Sequence, residues 1–147
     1  RDRSVSRGLG DVYKRQVRFR AQYRRSLRVL RMALECVDGK VSTKSGIMLG
    51  LGETEEELFR SMDDLLEHGV TVLTLGQYLR PSRNHLPVVK YVHPDDFARY
   101  EEVARSKGFR HVASGPLVRS SYHAANFTPE ADVLEAINED LRKAGEL

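Results

Sequence analysis

The stretch from Ser42 to Thr54, STKSGIMLGLGET, constrains the fold most strongly, because a short apolar run leads through closely spaced glycines directly to a helix start. Glycine allows the backbone to turn sharply or to approach a ligand closely. Thr54 followed three residues later by Glu57 is typical of a capping box, in which each side chain bonds the other residue's backbone N–H. The pattern predicts a strand, a loop and a helix, in that order.

Helices and strands alternate along the rest of the chain. Apolar residues spaced three and four positions apart predict helices over 20–37, 54–68, 94–108 and 129–145. Largely apolar runs predict strands over 40–51, 70–79 and 109–114. The second of these strands is rich in β-branched residues and is predicted to be buried on both faces. Helix and strand alternating with short connections is typical of a parallel α/β sheet.

The basic surplus of the chain lies at its amino-terminal end. Of the 24 basic and 21 acidic residues, five and two respectively lie in residues 1–16, which leaves 19 of each sign from Val17 onward. The net charge of +3 is therefore confined to 1–16, and the neutral remainder argues against a nucleic-acid-binding protein. No apolar run is long enough to cross a bilayer, so we expect no membrane partner.

The chain is predicted to have three parts. Residues 1–16 lack apolar periodicity and resemble translated cloning sequence, so we expect a non-native or disordered leader. Residues 17–125 form the α/β domain, and residues 126–147 a charged helical tail. The single cysteine, Cys36, excludes an internal disulfide and cannot alone hold a zinc ion or an iron–sulfur cluster. Its position in a helix predicts a small buried core residue.

The candidate binding residues are those that follow the predicted strands, because parallel α/β folds bind ligands at the carboxyl ends of their strands. Here these are residues 50–53, 77–83 and 114–122. The glycine turn could cradle a phosphate, but it lacks the Gly-Lys-Ser/Thr ending of a P-loop. Glu53 is placed either for catalysis or for stabilising a helix N-terminus. No serine has an evident base partner, so no catalytic residue is predicted.

Four segments resemble the carboxy-terminal half of the lipoyl synthase family, which are radical S-adenosylmethionine enzymes. They are TKSGIMLGLGE (43–53), GQYLRPS (76–82), HLPVVKY (85–91) and GFRHVASGPLVRSSYHA (108–124). They occur in the family's order, and the resemblance covers residues 17–125. It implies an α/β fold that is the carboxy-terminal part of a partial (β/α)6 TIM-type barrel, with a C-terminal extension.

The resemblance implies insertion of two sulfur atoms, at C6 and C8, into an octanoyl chain carried on a lysine of a lipoyl carrier domain. Enzymes of this family use two 4Fe-4S clusters, of which one cleaves S-adenosylmethionine to a 5′-deoxyadenosyl radical and the auxiliary one donates sulfur. The implied partners are an octanoylated carrier domain (H protein or a 2-oxoacid dehydrogenase E2) and an electron donor such as ferredoxin or flavodoxin. The implied location is the cytoplasm, or a mitochondrion or plastid in a eukaryote.

The resemblance also assigns residues that would bind S-adenosylmethionine. Gly46, Gly50 and Glu53 match the family pattern G-x-I-x-G-x-x-E near the adenine, with Met48 in place of isoleucine. The full implied set is Lys44, Gly46, Met48, Gly50, Glu53, Gln77, Tyr78 and Leu79. Lys44 lies inside a predicted strand, which is unusual for a solvated charge.

Ser120 matches the first serine of the family's Arg-Ser-Ser-Tyr motif, whose side-chain oxygen ligates an iron of the auxiliary cluster. Oxygen is a harder ligand than thiolate, so this iron would be the one most easily lost. Arg119 and Tyr122 would orient Ser120 without ligating the cluster themselves. The family's two cysteine triplets do not occur in this sequence, so we expect the chain itself to be inactive and its intact parent to be the enzyme.

Two alternatives stay open at this point. One is another radical S-adenosylmethionine enzyme that inserts sulfur, such as a biotin synthase relative, which would lack the serine ligand. The other is a non-catalytic module that docks an acidic carrier domain through arginines of the first helix. These are Arg24, Arg25, Arg28 and Arg31. Their simpler interpretation is a solvated helix face.

Overall fold

The computed structural model describes residues 23–36 and 42–121. Its elements are α1 (Tyr23–Cys36), β1 (Lys44–Leu49), α2 (Glu55–Glu67), β2 (Val72–Gln77), α3 (Pro94–Lys107) and β3 (His111–Ser114). This order confirms the predicted α/β alternation, although each strand is shorter than its predicted range. The leader 1–16 and the tail 126–147, with the helix predicted in it, lie outside the described residues.

The three strands form one parallel sheet in the order β1-β2-β3. Gly46 of β1 lies opposite Thr74 of β2, and Leu75 of β2 lies opposite Ser114 of β3. The central strand β2 is buried at every position, which confirms the prediction made from its composition. Because the strands are parallel, the segments that follow them leave the sheet at the same edge.

The helices pack on one face of the sheet and form the core with it. Leu73 and Leu75 of β2 and Met62 of α2 are completely shielded from solvent. Burying one such side chain stabilises the fold by about 1.5–3 kcal/mol. At the surface, Lys107 of α3 lies 2.6 Å from Asp63 of α2, an exposed ion pair of the kind that contributes at most about 1 kcal/mol.

Local signals fix where α2 and α3 begin. The Thr54 hydroxyl accepts a hydrogen bond from the Glu57 backbone N–H at 3.2 Å, and the Glu57 carboxylate accepts one from the Thr54 N–H at 3.0 Å. The predicted capping box is thus confirmed. Helix α3 starts at Pro94, as predicted, and its N-cap is His93, whose Nδ1 accepts from the Asp95 N–H at 3.2 Å.

Helix α1 packs on the helix side of the sheet through Leu27, and its Tyr23 hydroxyl donates to Asp64 of α2 at 2.8 Å. Val29 and Met32 face outward and are more than half exposed. Cys36 is also exposed, so its predicted core position is wrong. The reason is that α1 carries apolar residues on two sides, and only one side is packed. Within 23–36 and 42–121, no helix combines the length and the apolar character that crossing a membrane requires.

Candidate binding site at the carboxyl ends of the strands

Three of the predicted binding residues share the face of β1 that points away from the helices. Side chains alternate along a strand, so Lys44, Gly46 and Met48 lie on one face while Leu49 enters the core on the other. Gly46 is exposed, and Met48 is half-buried. The sheet therefore presents a face with a glycine gap in it, bordered by the methionine.

Lys44 lies at the start of this face. It is half-buried, and desolvation by burial lowers the pKa of its ammonium group below the ordinary value. Its nitrogen Nζ is shielded from solvent. This burial agrees with the position of Lys44 inside a strand and differs from the exposure of an ordinary surface lysine. The ammonium group of Lys44 is thus buried at the amino end of β1, away from the carboxyl ends of the strands.

The segment after β3 folds back over this face, and Gly76 makes room for it. A Cβ placed on Gly76 would lie only 2.2 Å from the carbonyl oxygen of Val118 and 3.6 Å from Arg119 Nη1. A Cβ on Gly46 would lie 3.9 Å from Ser120 Cβ. The structure therefore brings Ser120 next to the glycine pattern of β1. Arg119 and Ser120 are exposed, and Tyr122 lies outside the described residues.

The turn between β1 and α2 is closed by Glu53. Its two carboxylate oxygens accept the backbone N–H groups of Gly50 at 2.6 Å and of Leu51 at 2.8 Å. These charge-assisted hydrogen bonds fix the turn in front of α2. The same N–H groups are therefore engaged by the protein's own carboxylate, which does not favour the phosphate-cradle hypothesis. The contact agrees with the structural role considered for Glu53.

Gln77, at the end of β2, is buried and uses both ends of its amide to hold backbone. Its Nε2 donates toward the carbonyl oxygens of Leu49, Tyr78 and Lys90 at 3.0–3.1 Å. Its Oε1 accepts from the Val92 N–H at 2.9 Å. A Cβ on Gly50 would lie 2.3 Å from Gln77 Nε2. The Gln77 side chain can therefore occupy its position only because residue 50 is a glycine. Gln77 thus connects β2 to the end of β1 at Leu49 and to the segment that contains Lys90 and Val92.

We call residues 80–92 the strap, since this segment without helix or strand crosses the carboxyl ends of β1 and β2. The Val89 N–H donates to the Gly50 carbonyl at 2.8 Å, and the Tyr78 hydroxyl donates to the Leu86 carbonyl at 3.0 Å. Tyr78 itself is buried. Leu79, by contrast, is about half exposed beside the strap. Gln77 and Tyr78 therefore act here by positioning the strap.

Sequence reasoning missed the strap and its anchors. The partners of Gln77 on the strap lie 13 and 15 residues further along the chain, beyond the reach of any local pattern. One signal was available: a glutamine inside an apolar, fully buried strand must find hydrogen-bond partners. That rule indicates an anchor but does not identify the segment it holds.

The described residues do not supply a complete ligand set for an iron–sulfur cluster. Across 23–36 and 42–121, no group of three or more His, Cys, Asp or Glu side chains is arranged to hold a metal ion. Ser120 offers one oxygen near Gly46, whereas Cys36 lies on α1 at the helix side of the sheet. A 4Fe-4S cluster is normally held by several thiolates, so these residues provide at most one of its ligands.

The chain is a parallel α/β protein, and its candidate site lies at the carboxyl ends of the strands. No protein-family model matches the chain. It is 60% identical over 115 residues to lipoyl synthase from Rubrobacter xylanophilus, covering 78% of this chain and 36% of that enzyme. It is 52% identical over 129 residues to lipoyl synthase from Halalkalibacterium halodurans, covering 88% and 41%. It is 56% identical over 116 residues to lipoyl synthase from Geobacillus kaustophilus, covering 79% of this chain and 39% of that enzyme.

Over the matched region the chain is therefore related to the lipoyl synthases, and the resemblance predicted from its motifs is confirmed. The chain spans about two fifths of the length of the curated relatives it matches. That share is consistent with the predicted correspondence to one part of such an enzyme. A biotin synthase relative is not favoured by these matches.

Proposed function

We propose that this chain forms part of a lipoyl synthase, the enzyme that inserts two sulfur atoms at C6 and C8 of an octanoyl chain bound to a carrier-domain lysine. Identities of 52–60% to lipoyl synthases support the reaction class. The observation that carries the proposal is the approach of Ser120 to Gly46, because it unites the serine and the glycine pattern in one site. The parallel order β1-β2-β3 supports the finer assignment to a partial (β/α)6 barrel.

S-adenosylmethionine, when bound, would supply the hydrogen-atom abstraction from the octanoyl chain. Gly46 and Met48 are the residues whose placement suits contact with its flat adenine, since they lie on the open face of β1. Glu53 and Gln77 would act indirectly, by fixing the turn and the strap around that face. Lys44, Gly50, Tyr78 and Leu79 complete the proposed binding set.

Ser120 is proposed to give its side-chain oxygen to an iron of the auxiliary 4Fe-4S cluster, with Arg119 and Tyr122 supporting it. The cysteine ligands of both clusters would be contributed by the remainder of the intact enzyme, since this chain holds one cysteine on the other side of the sheet. The proposed partners are an octanoylated carrier domain and a ferredoxin- or flavodoxin-type reductant, in the cytoplasm.

The test uses the full-length enzyme that contains this sequence, and compares Ser120→Ala with the neighbouring Ser121→Ala. We expect Ser120→Ala to lose iron from the auxiliary cluster and to lose sulfur insertion into an octanoyl-lysine peptide, while cleavage of S-adenosylmethionine persists. Ser121→Ala should retain all three. Ser120→Cys, which restores a ligand, should recover the iron content. Full iron content and full sulfur insertion in Ser120→Ala would refute the assignment.

A further inference from the structure

Charge is segregated within residues 42–121, although the chain from Val17 onward is neutral overall. Every acidic residue of this segment other than Glu53 lies in α2 or α3. The carboxylate of Glu53 is engaged by two backbone N–H groups of its own turn. We call residues 78–93 and 115–121 the rim. The rim contains no acidic residue, and its basic residues are Arg80, Arg83, Lys90 and Arg119.

The rim also exposes large apolar side chains. Their exposed fractions are 47% for Leu79, 65% for Val89, 71% for Tyr91 and 81% for Leu117. Exposed aromatic and aliphatic groups surrounded by cations are typical of protein–protein interfaces, in which the apolar groups become desolvated and the charges form the periphery.

The backbone of the rim is already held in place. Gln77 bonds the Lys90 carbonyl and the Val92 N–H, which flank Tyr91, at 3.1 and 2.9 Å. The Val89 N–H is fixed by the Gly50 carbonyl at 2.8 Å. A partner therefore meets a backbone that needs little further ordering, which favours affinity.

Both parts of the rim are anchored at the carboxyl end of β2. Residues 78–93 are held at Gln77, and residues 115–121 lie against the adjacent Gly76. The rim thus borders the site in which Gly46 and Ser120 approach each other. A macromolecule bound to the rim would be positioned over that site.

We propose that the rim is the docking surface for an acidic protein domain, namely the domain that presents the acyl-lysine substrate. This inference rests on the proposed function. An acyl chain on a lysine side chain can reach the site only if its domain docks beside the site, and the rim is the part of the described chain that borders it. Complementary charge would steer the encounter, and the apolar groups would hold the complex.

The arginines of α1 are the competing surface, and the structure does not favour them. Helix α1 packs on the helix side of the sheet, opposite the face where Ser120 approaches Gly46. Arg31 is already paired with Glu35 at 3.0 Å and donates to the Glu67 carbonyl at 3.2 Å. A domain bound to α1 would be separated from the site by the sheet.

The experiment measures binding of the 147-residue chain to an octanoylated, acidic lipoyl carrier domain at low salt, without iron or S-adenosylmethionine. Arg83→Glu/Lys90→Glu reverses two rim charges, and Arg24→Glu/Arg28→Glu reverses the same charge on α1. All four side chains are exposed. We expect the rim variant to bind at least about tenfold more weakly than the parent chain and to show a weaker salt dependence of binding. The α1 variant should change the affinity less than about twofold. The leader 1–16 is identical in both variants.

Two further variants test the apolar part. Tyr91→Ala should weaken binding several-fold without a charge change, whereas Met32→Ala, at a similarly exposed apolar position on α1, should not. Arg83→Lys/Lys90→Arg should bind like the parent chain. Circular dichroism and thermal unfolding would verify that each variant is folded.

The proposal is wrong if the parent chain does not bind the carrier domain, or if the α1 variant loses as much affinity as the rim variant. It is also wrong if a single-stranded oligonucleotide of equal net charge binds the rim as tightly, because the surface would then be a general polyanion site. Binding at the rim together with absent sulfur insertion in the full-length enzyme would refute the proposed function and leave the docking surface standing.

Discussion

The helix side of the sheet and the carboxyl ends of its strands are built by different physical means. On the helix side, Leu73, Leu75 and Met62 are completely buried and stabilise the fold through apolar area removed from water. At the carboxyl ends, Gln77 and Glu53 hold chain segments through directional hydrogen bonds to backbone. Apolar burial on the helix side therefore contributes most of the stability, and hydrogen bonds at the carboxyl ends fix the geometry of the candidate site. Substitutions in these two regions should therefore have different consequences.

The largest effect is expected on the helix side. Leu73→Ala should lower the free energy of unfolding by about 2–5 kcal/mol, because it removes buried area and leaves a cavity in a fully packed strand. Urea denaturation followed by circular dichroism measures this change. Val29→Ala, at an exposed apolar position, is the control and should cost less than about 0.5 kcal/mol. Equal losses in the two variants would show that the core is misassigned.

The next prediction distinguishes two reasons why a position requires glycine, namely close packing against a neighbouring segment and a positive φ. Gly50 and Gly108 both have positive φ, 103° and 117°, but a Cβ on Gly50 would lie 2.4 Å from the Lys90 carbonyl oxygen, whereas nothing lies within 4 Å at Gly108. Gly108→Ala should cost about 1–2 kcal/mol of unfolding free energy from conformation alone. Gly50→Ala should cost about 3 kcal/mol and displace the strap. Similar losses would contradict the close packing of strap, Gln77 and turn.

A smaller loss is expected at the turn before α2. Glu53→Ala leaves the Gly50 and Leu51 N–H groups without their acceptor, which should cost about 1–3 kcal/mol of unfolding free energy. Glu56→Ala removes an acid of the first helical turn that interacts chiefly with the helix dipole, and should cost about 0.3–1 kcal/mol. Chemical denaturation of both variants gives the comparison. A Glu56 effect as large as that of Glu53 would refute the special role of the Glu53 carboxylate.

The smallest effect is electrostatic and depends on pH. A hydrogen bond from Arg99 lowers the pKa of Glu55 below its ordinary value of 4.5. A carboxyl whose pKa is depressed by folding stabilises the protein above its unfolded pKa, and this stabilisation is lost as the pH falls through the folded value. The difference in urea midpoint between the parent chain and Glu55→Gln should therefore be present at pH 6 and shrink below about pH 4.5. A difference that does not change between pH 6 and 3 would contradict the pair.

Sequence predicted those features that local chemistry determines. The capping box of Thr54 and Glu57 needs only four residues, and the burial of β2 follows from its composition. The parallel pairing of the strands follows from their alternation with helices. Cys36 shows the limit of periodicity, because α1 has apolar residues on two sides and spacing does not identify the packed one.

The contacts within the candidate site were harder to predict from the sequence. The glycine pattern and Ser120 could be named through the family resemblance, but their approach to each other depends on how residues 115–121 fold back over Gly76. Gln77 was predicted to line a pocket, and its bonds to the strap require contacts between segments that the sequence does not pair. Whether its side chain also touches a ligand stays a prediction.

The most direct test of the account concerns the anchoring of the strap by Gln77. Gln77→Met keeps the size of the side chain but removes the acceptor of the Val92 N–H and the donor to the Lys90 carbonyl. Amide hydrogen exchange measured by NMR should become about ten- to a hundredfold faster at Val92, the equivalent of one lost buried partner, while Leu75 within β2 changes much less. Unchanged exchange at Val92, or an equal increase at both amides, would contradict the claim that Gln77 organises the carboxyl ends of the strands.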